Sequence, residues 1–266
     1  MNSDHWISAP IDAGRRRPKD EVVTASPAPH LPGAVLRPVR GHHAFEACVE
    51  QLATAIRLGV YPLGSTLPPE RELAAILHVS RATLREAMAD LREAGLVQTT
   101  RGRGGGTVVT LKPRTPPARR AARISAARRS EWMDALEFRR IVESGAAYLA
   151  ASATLDEEQR SQLERAHAEV AAAGKAAQHR QADSRFHLTI ASLSGSPRTV
   201  EAVTSVQATL HEMLLAIPVL GTNIAHSDRQ HAALVRAIES GNAERARKTM
   251  EHHCDDTAAL LRGLLV

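Results

Sequence analysis

The sequence predicts a mainly α-helical protein of two domains, with one β-hairpin belonging to the first. Apolar residues recur with helical spacing along most of the chain from residue 44 onward. Strand-like composition is confined to residues 97–100 and 107–111, which flank a glycine-rich run. At 266 residues the chain is long enough for two separate hydrophobic cores.

A helix, a turn and a second helix are predicted between residues 68 and 97. The first helix should begin after Pro69, because proline is favoured at helix starts and disfavoured in helix interiors. Ser80 should cap the second helix, which begins at Arg81. The apolar residues of the second helix fall at i, i+3, i+4 and i+7, as on a buried face: Leu84, Ala87, Met88 and Leu91.

A polar face lies near the start of the second helix. Arg81 and Arg85 are four residues apart and therefore point to the same side, with Thr83 beside them. The recognition helix of a helix-turn-helix uses such N-terminal residues to reach base edges and phosphates in the major groove. The alternative is a solvated face on an ordinary helical hairpin. The segment that follows favours DNA binding.

That segment is a predicted β-hairpin. Residues 97–100 and 107–111 are β-rich, and the tip between them, RGRGGG, has little side-chain bulk. Glycine lets a backbone approach a groove closely, and arginine suits phosphate and minor-groove contacts, although such a tip can also be merely a flexible loop. Another helical stripe comes before the two helices: Val49, Leu52, Ala53 and Ile56. Three helices followed by a hairpin are typical of a winged helix.

Residues 45–109 resemble the DNA-binding domain of the GntR family of transcriptional regulators. The matching segments are 56–59, 64–74, 79–87 and 102–106. The resemblance implies that the main base and phosphate contacts come from Arg71, Arg81 and Arg85. It implies supporting roles for Ser80 and Thr83. It also places Arg103 and Gly104 at the tip of the wing, in the minor groove.

The excess positive charge lies beside this domain. The net charge of +5 permits nucleic-acid binding without requiring it. Residues 44–111 hold seven basic and seven acidic side chains, whereas residues 112–130 hold seven basic and no acidic ones. Residues 131–266 hold fourteen basic and eighteen acidic side chains. The basic linker could add nonspecific phosphate contacts or could be a soluble connector, and both can hold.

The remaining features of the N-terminal half carry no motif. Residues 1–43 are rich in proline, alanine and arginine and lack the apolar segment of a secretory signal, so we expect a disordered tail. No run of 18 apolar residues occurs, which argues against a membrane-spanning helix. Cys48 and Cys254 are expected to pack as small apolar groups rather than to form a disulfide. We expect a cytoplasmic protein associated with the nucleoid.

Residues 131–266 are predicted to form an all-α bundle of about six helices. Residues 132–151 are alanine-rich and amphipathic, and acidic residues at 156–158 suit the first turn of the next helix. Glycine and proline separate the later helices at positions 174, 195–197, 218–221 and 241. Aromatic residues make up only 3% of the chain, so the core must rely on Leu, Val, Ile and Ala.

Four residues of this bundle are candidate ligands of a divalent transition metal. Asp183 and His187 are four apart and share a helix face, while His231 and His253 lie on two later helices. Three imidazoles and one carboxylate inside a bundle suit zinc or nickel. The region contains eight histidines, however, and a helical histidine is more often solvated or a satisfied core residue. Spacing alone leaves both interpretations open.

Residues 131–264 resemble the FCD ligand-binding domain, which marks the FadR subfamily of the GntR family. The matching segments are 137–143, 183–187, 231–238 and 246–253. In many members an aspartate and three histidines hold a metal at the floor of an effector cavity. The resemblance therefore implies metal binding by Asp183, His187, His231 and His253. Members that bind acyl-CoA do without the metal, which argues against an acyl-CoA effector.

Arg139 matches a position that commonly faces this cavity in the family. An arginine there could grip a carboxylate through two hydrogen bonds, or form a structural ion pair with a nearby glutamate. No HExxH-type sequence supplies a general base for catalysis. We therefore expect the metal to bind a small α-hydroxy- or dicarboxylate-type acid, and this binding to alter the DNA affinity of the winged domain.

The predicted function is that of a sequence-specific transcriptional regulator, a repressor controlled by a small carboxylate. A single winged unit contacts few bases, so we expect a homodimer that reads a palindromic operator, joined through the helical domain. Two alternatives remain open at this point. One is a metal sensor, in which metal occupancy is itself the signal. The other is a metal-dependent hydrolase fused to a DNA-binding domain.

Overall fold

The computed structural model describes residues 31–39, 44–100, 106–111, 125–217 and 221–265. The helices in these ranges are α1 (Leu31–Val35), α2 (Ala44–Arg57), α3 (Glu70–Leu77), α4 (Arg81–Glu93), α5 (Ala126–Ser152), α6 (Glu157–Ala172), α7 (Ala176–Leu193), α8 (Pro197–Ala216), α9 (Gly221–Glu239) and α10 (Ala243–Leu265). The strands are β1 (Val97–Thr100) and β2 (Gly106–Val109). The mainly α-helical fold is confirmed.

Helices α2 to α4 and the hairpin form the winged unit. The buried sides of the three helices pack into one core through Leu52, Ile56, Leu73, Leu84 and Leu91. Strands β1 and β2 are antiparallel, with Val97 opposite Val109, and Thr66 forms an isolated bridge to Val108. The hairpin is thereby tied to the segment between α2 and α3 as well as to α4.

The turn between α3 and α4 falls where the sequence predicts it. Helix α3 ends at Leu77, and its C-cap His78 adopts a left-handed conformation with φ 53°. Ser80 caps α4, and its hydroxyl oxygen accepts a hydrogen bond from the backbone N–H of Thr83 at 3.0 Å. The helix-turn-helix therefore has the predicted boundaries.

The disordered tail predicted for residues 1–43 is wrong for residues 31–39. Helix α1 and the residue after it bury Leu31, Val35 and Leu36 against α2, α7 and α8. The backbone N–H of Val39 donates to the carbonyl oxygen of Leu77 at 2.7 Å. The three apolar side chains find their partners on helices far away in the sequence, which local composition cannot show. Residues 1–30 and 40–43 lie outside the described ranges.

The second unit is a bundle of six helices in residues 126–217 and 221–265, as predicted. Helix α5 is central and packs against α7, α8, α9 and α10. One buried cluster includes Phe186, Ile190, Leu234 and Met250, and another lies around Trp132, Leu136, Leu210 and Leu261. Small residues on α5 let α10 pack closely along it, which offsets the scarcity of aromatic side chains.

The predicted basic linker, residues 112–130, extends too far. Helix α5 begins at Ala126, and its N-cap Ser125 accepts a hydrogen bond from the backbone N–H of Arg128. Arg128 forms ion pairs with Glu131 and Glu212 and lies over the Trp132 ring, 5.7 Å from its centroid. The last basic residues of the run therefore belong to the bundle. Residues 112–124 lie outside the described ranges.

Both cysteines are free and buried, one in each unit. Burial raises the pKa of Cys48 to about 11 and that of Cys254 to about 12, so both side chains remain thiols at neutral pH. They pack as small apolar groups, as predicted. Within the described part of the chain, no helix is both long and apolar enough to cross a membrane.

Candidate metal centre and DNA-binding surface

The helix-turn-helix presents three exposed arginines on α3 and α4: Arg71, Arg81 and Arg85. The side chain of Arg85 is 68% exposed, and its Nε lies 3.0 Å from Oε2 of Glu70. Such an exposed ion pair contributes little to stability, so a phosphate or base could replace the carboxylate. The remaining predicted contacts, Arg103 and Gly104, lie outside the described residues.

Ser80 and Thr83 are occupied by helix capping. The Ser80 hydroxyl accepts from the backbone N–H of Thr83 and lies 2.9 Å from the Thr83 hydroxyl. Both side chains therefore order the N-terminus of α4. The N-terminus of this helix is the positive end of its dipole, which favours an anion such as a phosphate near Arg81.

The bundle brings three predicted ligands together. His187 on α7, His231 on α9 and His253 on α10 each offer one ring nitrogen, and these three atoms all lie within 4.8 Å of one another. All three side chains are buried. Because each comes from a different helix, only the packing of the bundle creates this cluster.

The fourth predicted ligand, Asp183, lies beside the three histidines. It precedes His187 by one helical turn, and its Oδ2 is 4.0 Å from Nε2 of His187. Its Oδ1 is 3.5 Å from Nε2 of His231. The structure thus places one carboxylate next to the cluster of three imidazoles, and zinc and nickel accept such donors.

Neighbouring oxygen atoms orient two of the imidazole rings. Nδ1 of His187 lies 2.7 Å from Oε2 of Glu143, and Nδ1 of His253 lies 3.1 Å from Oε1 of Gln230. These acceptors favour a proton on Nδ1, which leaves the lone pair of each Nε2 available, as in metal sites where a second acceptor fixes the ligand tautomer. Both ring nitrogens of His187 are buried and make no hydrogen bond of good geometry among the described residues, so the contact of Nδ1 with Glu143 is electrostatic and Nε2 has no protein partner. The residues present therefore fit a metal cation.

The protonation states of His231 and His253 also suit metal binding. Burial lowers the pKa of His231 to about 3 and outweighs the opposing effect of Asp183. Burial, reinforced by the neighbouring imidazoles of His231 and His187, holds the pKa of His253 well below its ordinary value. Both rings are neutral at pH 7, and the neutral imidazole is the form that binds metals.

Glu143 is a site residue that the analysis of metal-ligand spacing missed. Its buried carboxylate contacts Nε of Arg139 at 3.2 Å, Nδ1 of His187 at 2.7 Å and Nε2 of Gln207 at 2.6 Å. Burial alone would raise the pKa of Glu143, but Arg139 and His187 more than offset this effect and lower it to about 2. The signal in the sequence is the i, i+4 spacing of Arg139 and Glu143 on one helix.

Arg139 forms the ion pair with a nearby glutamate that the sequence left open as one alternative. Its side chain is 1% exposed and contacts Glu143 through Nε. Its Nη1 is buried and lacks a hydrogen-bond partner among the described residues, and Arg139 also lines the cavity next to the histidines. Arg139 can therefore pair with Glu143 through Nε and still offer Nη1 to a carboxylate in the cavity, which are the two roles predicted for it.

A cavity of about 80 Å³ adjoins the histidine cluster. Its polar lining includes Arg139, His179, Arg180, Asp183, Ser227 and His253. Its apolar lining includes Leu210, Leu214, Ile224 and Leu260. The sequence analysis did not single out His179, Arg180 or Ser227, because a pocket formed between helices leaves no local pattern.

These two units define a class of protein: a regulator in which a winged helix-turn-helix is joined to an all-helical domain. Residues 45–109 match the family described as bacterial regulatory proteins, gntR family, and residues 134–256 match the FCD domain. The chain belongs to the GntR family of bacterial regulatory proteins. The resemblances to the GntR family and to the FCD domain are therefore confirmed. Because the family consists of transcriptional regulators, the alternative of a metal-dependent hydrolase is wrong.

Two of the relatives that cover most of the chain are regulators at least 30% identical to it. A putative HTH-type transcriptional regulator, RmpR from Mycobacterium gastri, is 36% identical over 238 residues, spanning 81% of this chain and 82% of the relative. The putative L-lactate dehydrogenase operon regulatory protein of Escherichia coli K12 is 32% identical over 203 residues, with 71% and 75% covered. Among solved structures, E. coli McbR/YncC shares the fold with a TM-score of 0.51 at 16% identity, covering 84% of this chain and 99% of the other.

Proposed function

We propose that this regulator is a repressor whose operator affinity is controlled by a small carboxylic acid bound at a metal in the FCD domain. The observation that carries the proposal is the cluster of three histidine nitrogens within 4.8 Å of one another beside a cavity. A divalent metal, zinc or nickel, would be held by Asp183, His187, His231 and His253. There it would supply positive charge and coordination positions for the oxygens of the acid.

The cavity lining supports a small acid. The unpartnered Nη1 of Arg139 can donate to a carboxylate oxygen while Nε keeps its contact with Glu143. Leu210, Leu214 and Leu260 also line the cavity and supply apolar surface for the carbon chain of a small acid.

On the DNA side, Arg71, Arg81 and Arg85 would contact bases and phosphates in the major groove, with Ser80 and Thr83 beside them. Arg103 and Gly104 would reach the minor groove. A homodimer would place two such units on a palindrome. An exposed apolar face on α5 supports dimerisation through the helical domain: Phe138, Ile141, Tyr148 and Leu149.

The first test is binding of the metal and then of the acid. Elemental analysis of the purified protein should find zinc or nickel in stoichiometric amount, and His187→Ala should remove it. Thermal melts of metal-loaded protein with glycolate, malate, succinate and L-lactate should show a raised Tm for at least one acid. L-lactate is included because one relative is named after an L-lactate dehydrogenase operon.

His226→Ala is the matched control. His226 also lies on a helix of the bundle, but its side chain is 47% exposed and pairs with Asp256 outside the cluster. This variant should keep the metal and the response to the acid. Wild-type protein that neither contains a transition metal nor takes one up on reconstitution would refute the metal-dependent part of the proposal.

A second candidate function is metal sensing, and the buried histidine cluster favours it directly. In that case metal occupancy alone changes operator affinity. Titration of Zn²⁺ or Ni²⁺ against an operator selected from random DNA, without any organic acid, distinguishes the two functions. A full response to metal alone supports the sensor, and a response that requires an acid supports the metabolite-controlled repressor.

A further inference from the structure

Helix α7 carries two of the four candidate metal ligands and also two polar contacts to the winged unit. Asp183 and His187 face the histidine cluster. Two other residues of the same helix, Gln181 and Arg185, contact the end of α2 and the glycine that follows it. The two candidate ligands and the two contact residues alternate along two turns of α7. The same segment of helix therefore lines the candidate metal centre and contacts the winged unit.

Gln181 is the first of these contacts. Its side chain is buried, and its Nε2 donates to the carbonyl oxygen of Arg57 at 3.1 Å and to that of Ile56 at 3.4 Å. Carbonyl groups at the C-terminus of a helix lack their usual i+4 partners and accept such donors readily. Gln181 therefore binds α2 at the point where that helix ends.

Arg185 is the second contact. Its Nη1 donates to the carbonyl oxygen of Gly59 at 3.1 Å. Its Nη2 is held by Oε2 of Glu169 on α6 at 2.6 Å. The guanidinium group is thus held by Glu169 of the bundle and donates a hydrogen bond to Gly59 of the winged unit.

Gly59 is what allows this close approach. Its φ is +75°, and a Cβ atom at this position would lie 2.8 Å from Nη1 of Arg185 and 2.9 Å from Cβ of Gln181. Any larger residue would have to displace α7 or the end of α2. At the contact with α7, the winged unit therefore has a residue without a side chain, Gly59.

We propose that Gln181 and Arg185 form the contact through which ligand binding in the FCD domain changes DNA binding. The inference rests on the proposed function. Asp183 and His187 each lie two residues beyond a contact residue, and Arg180 of the cavity wall immediately precedes Gln181. A shift of α7 caused by ligand must move both contacts, because an α-helix transmits displacement and rotation over so short a distance. The end of α2 then moves relative to the bundle.

The experiment uses the full chain loaded with Zn²⁺ and an operator selected by the wild-type protein from random duplex DNA. Operator affinity is measured by fluorescence anisotropy, with Zn²⁺ alone and with glycolate, malate, succinate or L-lactate added. The variants are Gln181→Met, Arg185→Met and the pair, because methionine is close to glutamine in length, replaces the aliphatic stem of arginine and has no hydrogen-bond donor. Arg165→Met is the control, since Arg165 pairs with Glu158 on α6 and has no contact with the winged unit among the described residues.

We expect the wild-type operator affinity to respond by about 5- to 150-fold to the effective ligand. In the double variant this response should fall below about 2-fold, while the Tm shift produced by the ligand is retained. Arg165→Met should respond like wild type. Gly59→Ala should weaken the response from the winged side without any substitution in α7, because its Cβ would collide with Arg185 and Gln181 and disturb the contact.

A double variant that keeps the full response overturns the proposal. Hydrogen exchange provides an independent measurement that needs no variant: amides of residues 57–60 should change their exchange rate when the ligand binds. Unchanged exchange there, in wild-type protein whose operator affinity responds, also overturns it. If wild-type operator affinity responds to none of these ligands, the proposed function fails, and that result is distinct from a response that survives the double substitution.

Discussion

The carboxylate of Glu143 lies 2.7 Å from Nδ1 of His187 and joins the candidate metal centre to the core of the bundle. The same carboxylate pairs with Arg139, which lines the cavity. One buried acid thus orients an imidazole of the candidate metal centre and positions an arginine beside the space for a ligand. Because all three side chains are buried, a change in one of them must be accommodated by the other two.

The buried ion pair gives a prediction about stability. Arg139→Met leaves the Glu143 carboxylate buried without its main partner and should lower the free energy of unfolding by about 3–5 kcal/mol. Adding Glu143→Leu to this variant should recover much of the loss, since an apolar pair needs no charge compensation. Urea denaturation of metal-free protein measures the free energy of unfolding of the single and the double variant. Arg262→Met, which removes an exposed ion pair with Glu137, should have an effect below about 1 kcal/mol. Equal effects of the two arginine substitutions would contradict the prediction.

The oxygen that orients His253 gives a prediction about metal affinity. Gln230→Ala removes the acceptor at 3.1 Å from Nδ1 of His253, so the ring loses its fixed tautomer and orientation. Metal affinity should fall by about 10- to 100-fold, as measured by competition with a chelator. Arg229→Ala, a substitution at the neighbouring exposed position, should leave it unchanged. If Gln230→Ala binds the metal as tightly as wild type does, this orienting role is wrong.

His211 on α8 gives a prediction about pH. Burial, followed by the charges of Arg180 and Arg57, lowers the pKa of His211 from 6.5 to about 4. The unfolded chain therefore binds this proton more readily than the folded chain, so stability present above about pH 6.5 is lost as the pH falls towards 4. Thermal melts between these pH values should show a smaller loss for His211→Gln than for wild type. The exposed-site control, His252→Gln, should lose stability as wild type does. A His211→Gln profile that parallels the wild-type profile would argue against the prediction.

The recognition helix gives a prediction about DNA binding. Arg81→Ala and Arg85→Ala should each weaken discrimination between operator and random DNA by about 1–3 kcal/mol. The fold should remain intact, because both side chains are exposed and the Arg85–Glu70 pair contributes little. Anisotropy with specific and random duplexes measures the difference, and circular dichroism checks the fold. Arg92→Ala, at the other end of α4, serves as the control. Undiminished discrimination in either variant would show that α4 does not read the operator.

The N-terminal segment gives a prediction about packing between the units. Leu36 is 2% exposed in the core shared with α7 and α8, so Leu36→Ala should lower the free energy of unfolding by about 2–4 kcal/mol. Arg37→Ala removes only a partly exposed ion pair with Glu201 and should have an effect below about 1 kcal/mol. Denaturation in urea compares them. A Leu36→Ala protein as stable as wild type would mean that residues 31–39 do not hold the two units together.

Local sequence patterns were sufficient to predict where helices begin and which of their faces are buried. Helix α4 begins at Arg81 because Ser80 can cap it, and its buried face follows from the spacing of Leu84, Ala87 and Met88. The candidate ligands Asp183 and His187 share a helix face for the same local reason. By itself, the sequence determined the class of fold, the helix-turn-helix and the family.

Only the tertiary structure decided which distant residues meet. The burial of Leu36, the contact of Glu143 with His187 and the grip of Arg185 on the Gly59 carbonyl all join residues that belong to different helices or units. Such contacts depend on how amphipathic faces pack, and many packings are compatible with the same pattern of apolar residues. Helical periodicity fixes which side of a helix is buried, whereas the partner of that side is fixed by the close packing of the whole chain.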